Sequence, residues 1–433
     1  MSELIRSLSP LGVWAFSFGC VIGWSAFVMP GTIFLPNAGP FGTLIAIEFG
    51  AFSMLIISYN YAYMIKKYPV SGGEFIYADK AFGRVHGFIC AWFLSLSYLC
   101  VIPLNATALN LIMRAVFGNF FEFGLHYNIA GYEIHFGEVL IFVSVLILFA
   151  WIGSFGIKLT GIIQSVLAFI LIGGIFLVLF GIIIYCVRGT GLKFDPMFKD
   201  DSGKNVLSQI IAVAVTAPMS YVGFDIVPQL TEESDFSQDH VKAIMDLSIL
   251  IGCLVYVTLT FIACSVQPAG YSSWVEYVND LENLEGISAL PTFNAAFIAL
   301  GKIGVGILTL SAFAAMFTGI CGFYTATSRL IFSMSREGTL PKWFGRLNKN
   351  EVPVNAVIFC MAFSIISSLF GRQILNWIFD MASIGGAIGF AYTSLATRKF
   401  AVSHNERKMI IWGDLGFMFS MLFFILLLIP NPK

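Results

Sequence analysis

Charge is what this sequence has least of. Asp, Glu, Lys and Arg make up 11% of its 433 residues, where an average soluble domain carries about 25%. The apolar share is 58%, more than a soluble fold of this length can hide. That leaves a polytopic membrane protein, with room for about eleven or twelve spans of about twenty residues. Net charge is −1, so no basic surface points to nucleic acid. Eight cysteines never form Cys-x-x-Cys, and Cys20, Cys90, Cys264 and Cys321 sit within apolar runs. Neither a disulfide framework nor a metal site is indicated. The chain has no His-Glu-x-x-His, no Gly-x-Ser-x-Gly and no Gly-x-x-x-x-Gly-Lys-Ser/Thr. Zinc hydrolases, serine-hydrolase elbows and ATP-driven pumps therefore lack their chemistry here. No enzyme activity and no cofactor are expected.

What stands out instead is Ala217-Pro218-Met219-Ser220-Tyr221-Val222-Gly223-Phe224-Asp225-Ile226-Val227-Pro228, inside an apolar run from about Val206 to Leu230. Each proline removes a backbone donor and clashes with the preceding turn, and Gly223 leaves helical geometry cheaply. Asp225 falls near the middle of the run, where an ionisable group costs about 2.5–3.5 kcal/mol on insertion scales. Non-helical backbone at that depth survives only when buried in protein or lining a wet cavity. The stretch reads as a broken helix at a binding site. The bland alternative is a proline kink whose aspartate bonds to a neighbouring helix.

Eleven spans can be placed. Span 1 runs from about Leu11 to Leu35, and its Gly19, Gly23, Ser25 and Pro30-Gly31 suggest a second interrupted helix, a retained span and not a signal peptide. Spans 2 to 5 cover about 42–65, 87–113, 138–153 and 158–187; span 6 is the broken helix; spans 7 to 11 cover about 242–266, 303–334, 352–370, 374–397 and 409–430. The loop 267–291 is long enough to act as a lid. Lys and Arg concentrate in loops on the N-terminal side, among them Lys66, Lys67, Arg336, Lys342, Arg346, Arg398 and Lys399. That bias predicts a cytoplasmic N-terminus in an inner or plasma membrane.

Spans 1 and 6 are five spans apart and so enter the membrane with opposite topology. Paired interruptions in two inverted halves point to a transporter site. Unwinding exposes backbone N–H and C=O groups, and half-helix N-termini attract anions such as a carboxylate. Freed carbonyls and Asp225 suit an ammonium group. A zwitterion or an amine fits better than a sugar, and a passive channel would need no such pair.

Three stretches carry a family resemblance. They are Ile22-Gly23-Trp24-Ser25-Ala26-Phe27-Val28-Met29-Pro30-Gly31, Pro69-Val70-Ser71-Gly72-Gly73-Glu74-Phe75-Ile76-Tyr77, and Phe323 to Phe344 followed by Val352-Pro353-Val354-Asn355-Ala356. With Tyr221-Val222-Gly223-Phe224-Asp225, the chain resembles the amino acid–polyamine–organocation transporters from about Gly12 to Phe400. The resemblance implies an all-α fold of the LeuT type with a five-plus-five inverted repeat and spans 1 and 6 discontinuous. Residues 1–10 would form a cytoplasmic segment, 11–187 the first repeat, 204–397 the second, and 398–433 a basic loop and terminal span. It implies alternating access, with spans 1 and 6 rocking against spans 3 and 8. A substrate carboxylate would meet Ile22, Gly23, Trp24, Ser25 and Ala26. The amino group would meet carbonyls of Met219, Ser220 and Tyr221, with Gly223 and Phe224 beside it. Asp225 would bind the amine or carry a proton. In relatives a lysine at the place of Lys158 reaches toward spans 1 and 8, where sodium sits in sodium-coupled cousins; that implies sodium independence. The other reading of Lys158 is an interfacial lysine.

The chain departs from the family in two ways. Trp24-Ser25 stands where relatives have small residues, and no twelfth span follows. Glu48 and Asp380 read as structural partners within spans, Trp24 and Phe224 as gates, and Trp377 with Asp380 as lining of the pathway. Glu232 and Glu233 read as a solvated helix end or partners of basic loops. The expected activity is secondary transport of an amino acid, by proton symport or exchange. The alternative is a polyamine or other organic amine. Substrate identity and oligomeric state stay open.

Overall fold

Glycine and proline set where the spanning helices stop, bend and restart. The computed structural model describes residues 4–189, 194–199 and 205–428, with the side chains of 372–376 and 378–382 outside the description. Span 1 starts as a helix at Pro10–Val21, with the Ser9 side chain accepting from the Gly12 amide at its N-cap. It breaks at residues 22–24, resumes at Ser25–Met29, and passes through a wide turn at Pro30–Phe34. The following helix, Leu35–Lys67, turns a corner at Gly39, whose φ of +71° separates the end of span 1 from span 2. A Cβ on Gly39 would meet the Lys199 amide nitrogen at 2.8 Å, so the corner requires glycine twice over.

The remaining spans fall close to their expected places: Arg84–Phe117, Phe136–Gly153, Ile157–Arg188, Val241–Ser265, Val354–Ser368, Arg372–Ser403 and Arg407–Leu428. Span 8 is longer than expected. Its helix is Pro291–Arg336, with a corner at Gly301 (φ +61°) that sets a ten-residue leading piece at an angle to the span. The leading piece sits on span 1, where the Thr292 hydroxyl donates to the Phe27 carbonyl at 3.0 Å. Loop 267–291 contains a short helix, Trp274–Asn279. Trp274 is fully buried and donates to the Pro196 carbonyl at 3.0 Å.

Two elements lie where loops were expected. Between spans 2 and 3, Glu74–Phe82 is helical. Between spans 3 and 4, His126–Ile129 (β1) and Tyr132–His135 (β2) pair antiparallel, with His126 opposite His135. The alternation there places Ile134 inward and both histidines on the other face.

Spans 1 and 6 occupy the centre. Every residue from Gly12 to Val21 is buried, and this piece packs against spans 5, 7 and 8 and the second half of span 6. Span 11 packs outside spans 2 and 10. At the face bearing the N-terminus the centre is sealed. The amides of Ser7 and Leu8 donate to the Glu233 carbonyl, and the Asp235 amide donates to the Leu8 carbonyl. Arg329 of span 8 grips Glu233 with two bonds, of 3.0 and 2.9 Å, and each side chain is only 2% exposed. Arg336 binds Glu232 beside it. The two glutamates are therefore partners of span 8, and Glu233 is buried rather than solvated.

Truncating one member of a buried ion pair strands the other, at a cost of about 3–5 kcal/mol. Arg329→Met is expected to lower the melting temperature of the detergent-purified protein. Arg329→Met combined with Glu233→Leu is expected to recover most of the loss. A double variant no better than the single one would show that the pair is not coupled.

Candidate functional site

The two breaks meet. At span 1, Ile22 leaves helical geometry (φ −100°, ψ 88°), which frees amides that the helix would otherwise use. Asn105 of span 3 takes one of them: its Oδ1 accepts from the Trp24 amide at 3.2 Å. A Cβ on Gly23 would lie 3.0 Å from that Oδ1, and one on Gly319 of span 8 would lie 3.0 Å from its Nδ2. Asn105 thus fills the space between span 1 and span 8. The Thr318 hydroxyl donates to the Gly19 carbonyl at 3.2 Å, tying span 8 to the last turn before the break.

Span 6 is helical at Val206–Ala214, narrows to a tight 3₁₀ turn at Ala217–Tyr221, and breaks at Val222-Gly223. It resumes as a second narrow helix, Phe224–Glu233. Gly223 has φ +127°, and a Cβ there would come within 2.5 Å of the Cys20 carbonyl carbon. Backbone meets backbone at this crossing, so only glycine fits.

Asp225 is fully buried. Its Oδ1 accepts from the Gly223 amide at 2.7 Å and its Oδ2 from the Tyr98 hydroxyl of span 3, also at 2.7 Å. Tyr98 also reaches the Asp225 carbonyl at 3.2 Å. The aspartate therefore holds the break's own backbone and ties span 6 to span 3. Among the described residues no lysine, arginine or histidine forms an ion pair with it. Phe224 is buried between Phe390 of span 10, stacked at 5.7 Å, and Tyr61 of span 2, edge-on at 5.6 Å.

The other expected contact residues gather at the same place. Ile22, Gly23, Ala26, Ser220 and Tyr221 are buried, and Trp24, Ser25 and Met219 are half-buried. The Ser25 hydroxyl pairs with the Tyr256 hydroxyl of span 7 at 3.0 Å. The Tyr221 ring turns to span 2, its hydroxyl donating to the Ile47 carbonyl at 2.9 Å.

Lys158 does not join this group. Span 5 starts at Ile157, and its inward face is Ile157, Thr160, Gly161, Gln164 and Ala168, a spacing that puts position 158 on the outer side. Its side chain is exposed. Gln164, two turns further on, is the residue that reaches span 8, donating to the Thr318 carbonyl at 3.0 Å. Glu48 is exposed, Trp377 is 49% exposed, and the Asp380 side chain lies outside the described residues.

Sequence reasoning missed four residues of the site: Asn105, Tyr98, Gln164 and Glu74. Glu74 is fully buried. Its Oε1 accepts from the Tyr61 hydroxyl at 2.8 Å and its Oε2 from the Gln229 side chain at 3.0 Å. Gln229 Oε1 in turn accepts from the Gly72 amide at 3.0 Å. The signal available was the glycine pair ahead of it. Gly72 and Gly73 have φ +106° and +43°, and Cβ atoms there would meet Ser333 Oγ at 2.2 Å and Pro228 at 2.7 Å. One cluster could hold a divalent ion: His126, Glu133 and His135 on the exposed hairpin, with ligand atoms within 4.8 Å of one another.

Discontinuous helices crossing backbone to backbone in a bundle of spanning helices are a feature of membrane transporters. A family model for amino acid permeases matches residues 8–433; the chain belongs to that family and is a permease, not an enzyme. It is 23% identical to a methylthioribose transporter of Bacillus subtilis, over 94% of this chain and 83% of that one. It is 23% identical to the branched-chain amino acid permease BcaP of Lactococcus lactis, over 88% and 79%. It is 21% identical to the low-affinity putrescine importer PlaP of Escherichia coli, over 84% and 74%. A substrate-bound, outward-open Na⁺-coupled sialic acid symporter shares the fold, with a TM-score of 0.61 and 14% identity over 96% of this chain and 88% of that chain. The fold is the LeuT type.

Because Gly223 sits where φ is positive and the space is closed, Gly223→Ala must displace span 1, a strain of about 1–3 kcal/mol or more. Uptake into proteoliposomes is expected to fall sharply. Gly173→Ala, where nothing lies within 4 Å, is expected to behave as wild type. Normal uptake by Gly223→Ala would remove the crossing from the mechanism.

Proposed function

We propose that the chain is a secondary active transporter of an amino acid, sodium-independent and driven by proton symport or by exchange, with its N-terminus in the cytoplasm of a cell whose plasma membrane it spans. The observation that carries this reading is Asp225, a buried carboxylate that pairs with no cation among the described residues, at the crossing of two broken helices. Intramembrane carboxylates facing a bundle interior mark substrate or proton paths. The substrate carboxylate is assigned to the span 1 break, Ile22 to Ala26. The amino group is assigned to carbonyls around Met219, Ser220 and Tyr221, with the side chain toward spans 3, 8 and 10. Both Asp225 oxygens already accept strong bonds, which favours a proton or structural role over direct contact with the amine.

Two relatives named for branched-chain amino acids and putrescine bracket the substrate class. The relative named for putrescine supports an organic amine as the second reading. Sodium independence rests on the family resemblance and not on Lys158, whose side chain is exposed; at the place between spans 1, 5 and 8 the Gln164 amide donates to the Thr318 carbonyl. Gln164 Oε1 has no hydrogen-bond partner among the described residues, so a sodium requirement would trace to this residue.

The test is uptake of labelled leucine, arginine, 4-aminobutyrate and putrescine into proteoliposomes, with sodium or with choline outside. Transport of one zwitterion, indifferent to sodium and stimulated by an inward proton gradient, is the expected result. Uptake of putrescine alone would move the assignment to amines, and uptake only in sodium would contradict the coupling. In the same assay Asp225→Asn is expected to abolish the pH dependence while folded protein is retained. A wild-type pH profile in that variant would take Asp225 out of the coupling.

A further inference from the structure

Glu74 belongs to no established role and lies in an unusual place. The short helix it opens packs on spans 3 and 10. Its two hydrogen-bond donors come from elsewhere, Tyr61 on span 2 and Gln229 on the second half of span 6. The loop before it is fastened the same way: Ser71 Oγ donates to the Gln229 carbonyl at 3.1 Å, and Ser333 of span 8 donates to the Ser71 carbonyl at 2.8 Å. The carboxyl therefore bridges the span 3 side and the span 6 side at the sealed face.

Among the described residues its surroundings hold no cation. The titratable groups facing it are Tyr61 from span 2, Asp225 from span 6, Cys90 and Tyr98 from span 3, and Tyr77 from its own helix. From span 10 the near neighbour is Gly389. A carboxylate buried without a counter-charge in low dielectric favours its neutral form. Burial first, then the negative charge of Asp225, push the Glu74 carboxyl above the usual range, against the pull of its own backbone amide, Tyr61 and Gln229.

We propose that Glu74 is a proton-carrying carboxyl of the transport cycle, protonated while the N-terminal face is sealed and deprotonated when the loop at residues 71–74 parts from span 6. On opening, the acid's O–H bond breaks, the proton passes to water entering from the cytoplasm, and the carboxylate left behind is solvated. Reclosure requires a proton again, because the dry pocket offers hydrogen-bond donors but, among the described residues, no positive charge. Two carboxyls, Asp225 at the crossing and Glu74 on its cytoplasmic side, then mark the exit route of the coupled proton.

The inference rests on the proton-coupled reading, and the experiment separates the two. Proteoliposomes loaded with a pH-sensitive dye are given the same four probes in sodium-free buffer, with and without an inward proton gradient. The wild type is expected to show gradient-stimulated uptake of at least one probe together with acidification of the lumen. In Glu74→Gln both the stimulation and the acidification are expected to be lost. Tyr61→Phe removes a donor that favours the carboxylate, so the alkaline limb of uptake is expected to move up by about one pH unit. If the wild type shows no stimulation with any probe, the proton-coupled reading fails and takes this one with it. If the wild type is stimulated and folded Glu74→Gln is stimulated equally, Glu74 is not a carrier and the parent reading stands. Should Glu74→Gln fail to fold, Tyr61→Phe decides: an unmoved pH profile overturns the assignment.

Discussion

An unwound backbone at membrane depth has to find hydrogen-bond partners that water would supply elsewhere. The rest of this structure depends on that requirement. The breaks in spans 1 and 6 place them side by side, with Gly223 against Cys20, and neither could stand alone. Asn105 takes the Trp24 amide, Asp225 takes the Gly223 amide, and Tyr98 holds Asp225 in place. All but one of these satisfying groups come from outside the two broken spans. A buried amide or hydroxyl left unmade costs about 1–3 kcal/mol, so the central pair is specified by its neighbours as much as by its own sequence.

The same bonds join the elements that the proposed alternating access would separate. Tyr98 and Asn105 are on span 3, and Asp225 and Trp24 are on spans 6 and 1. At the N-terminal face, Arg329 and Arg336 of span 8 hold Glu233 and Glu232 at the end of span 6. Polar clasps of this kind can be exchanged for water when a face opens, whereas apolar contacts would lose their driving force. In the proposed transport cycle such clasps set discrete endpoints.

Much of this was legible in the sequence because the signals were local. Pro218, Gly223, Asp225 and Pro228 within one apolar run cannot belong to an ordinary spanning helix, and Gly23 with Pro30-Gly31 repeats the pattern in the first half. What the sequence hid was partnership. Asn105 and Tyr98 look like any polar residues in a long helix, and only the fold shows that they face the breaks. Glu74 was passed over because it stands among Lys66, Lys67, Lys80 and a glycine pair, which together read as a solvated loop. Lys158 misled for the opposite reason. Its place in a resembling motif suggested an inward reach, but the register that buries Ile157, Thr160, Gly161 and Gln164 turns it outward. The hairpin at 126–135 was missed although Tyr127, Ile129, Tyr132 and Ile134 alternate around Ala130-Gly131, a short signal swamped by polar neighbours.

The central claim is that the crossing of spans 1 and 6 binds an amino acid or amine without sodium. The most direct measurement is the melting temperature of the purified protein against a panel of amino acids, amines and polyamines, in sodium and in sodium-free buffer. A ligand held at a hundredfold over its dissociation constant stabilises the folded state by about 2.7 kcal/mol. The account predicts a rise with one chemical class of zwitterion or amine, equal in the two buffers. A rise that appears only in sodium, or none with any compound bearing an amino group, would contradict it.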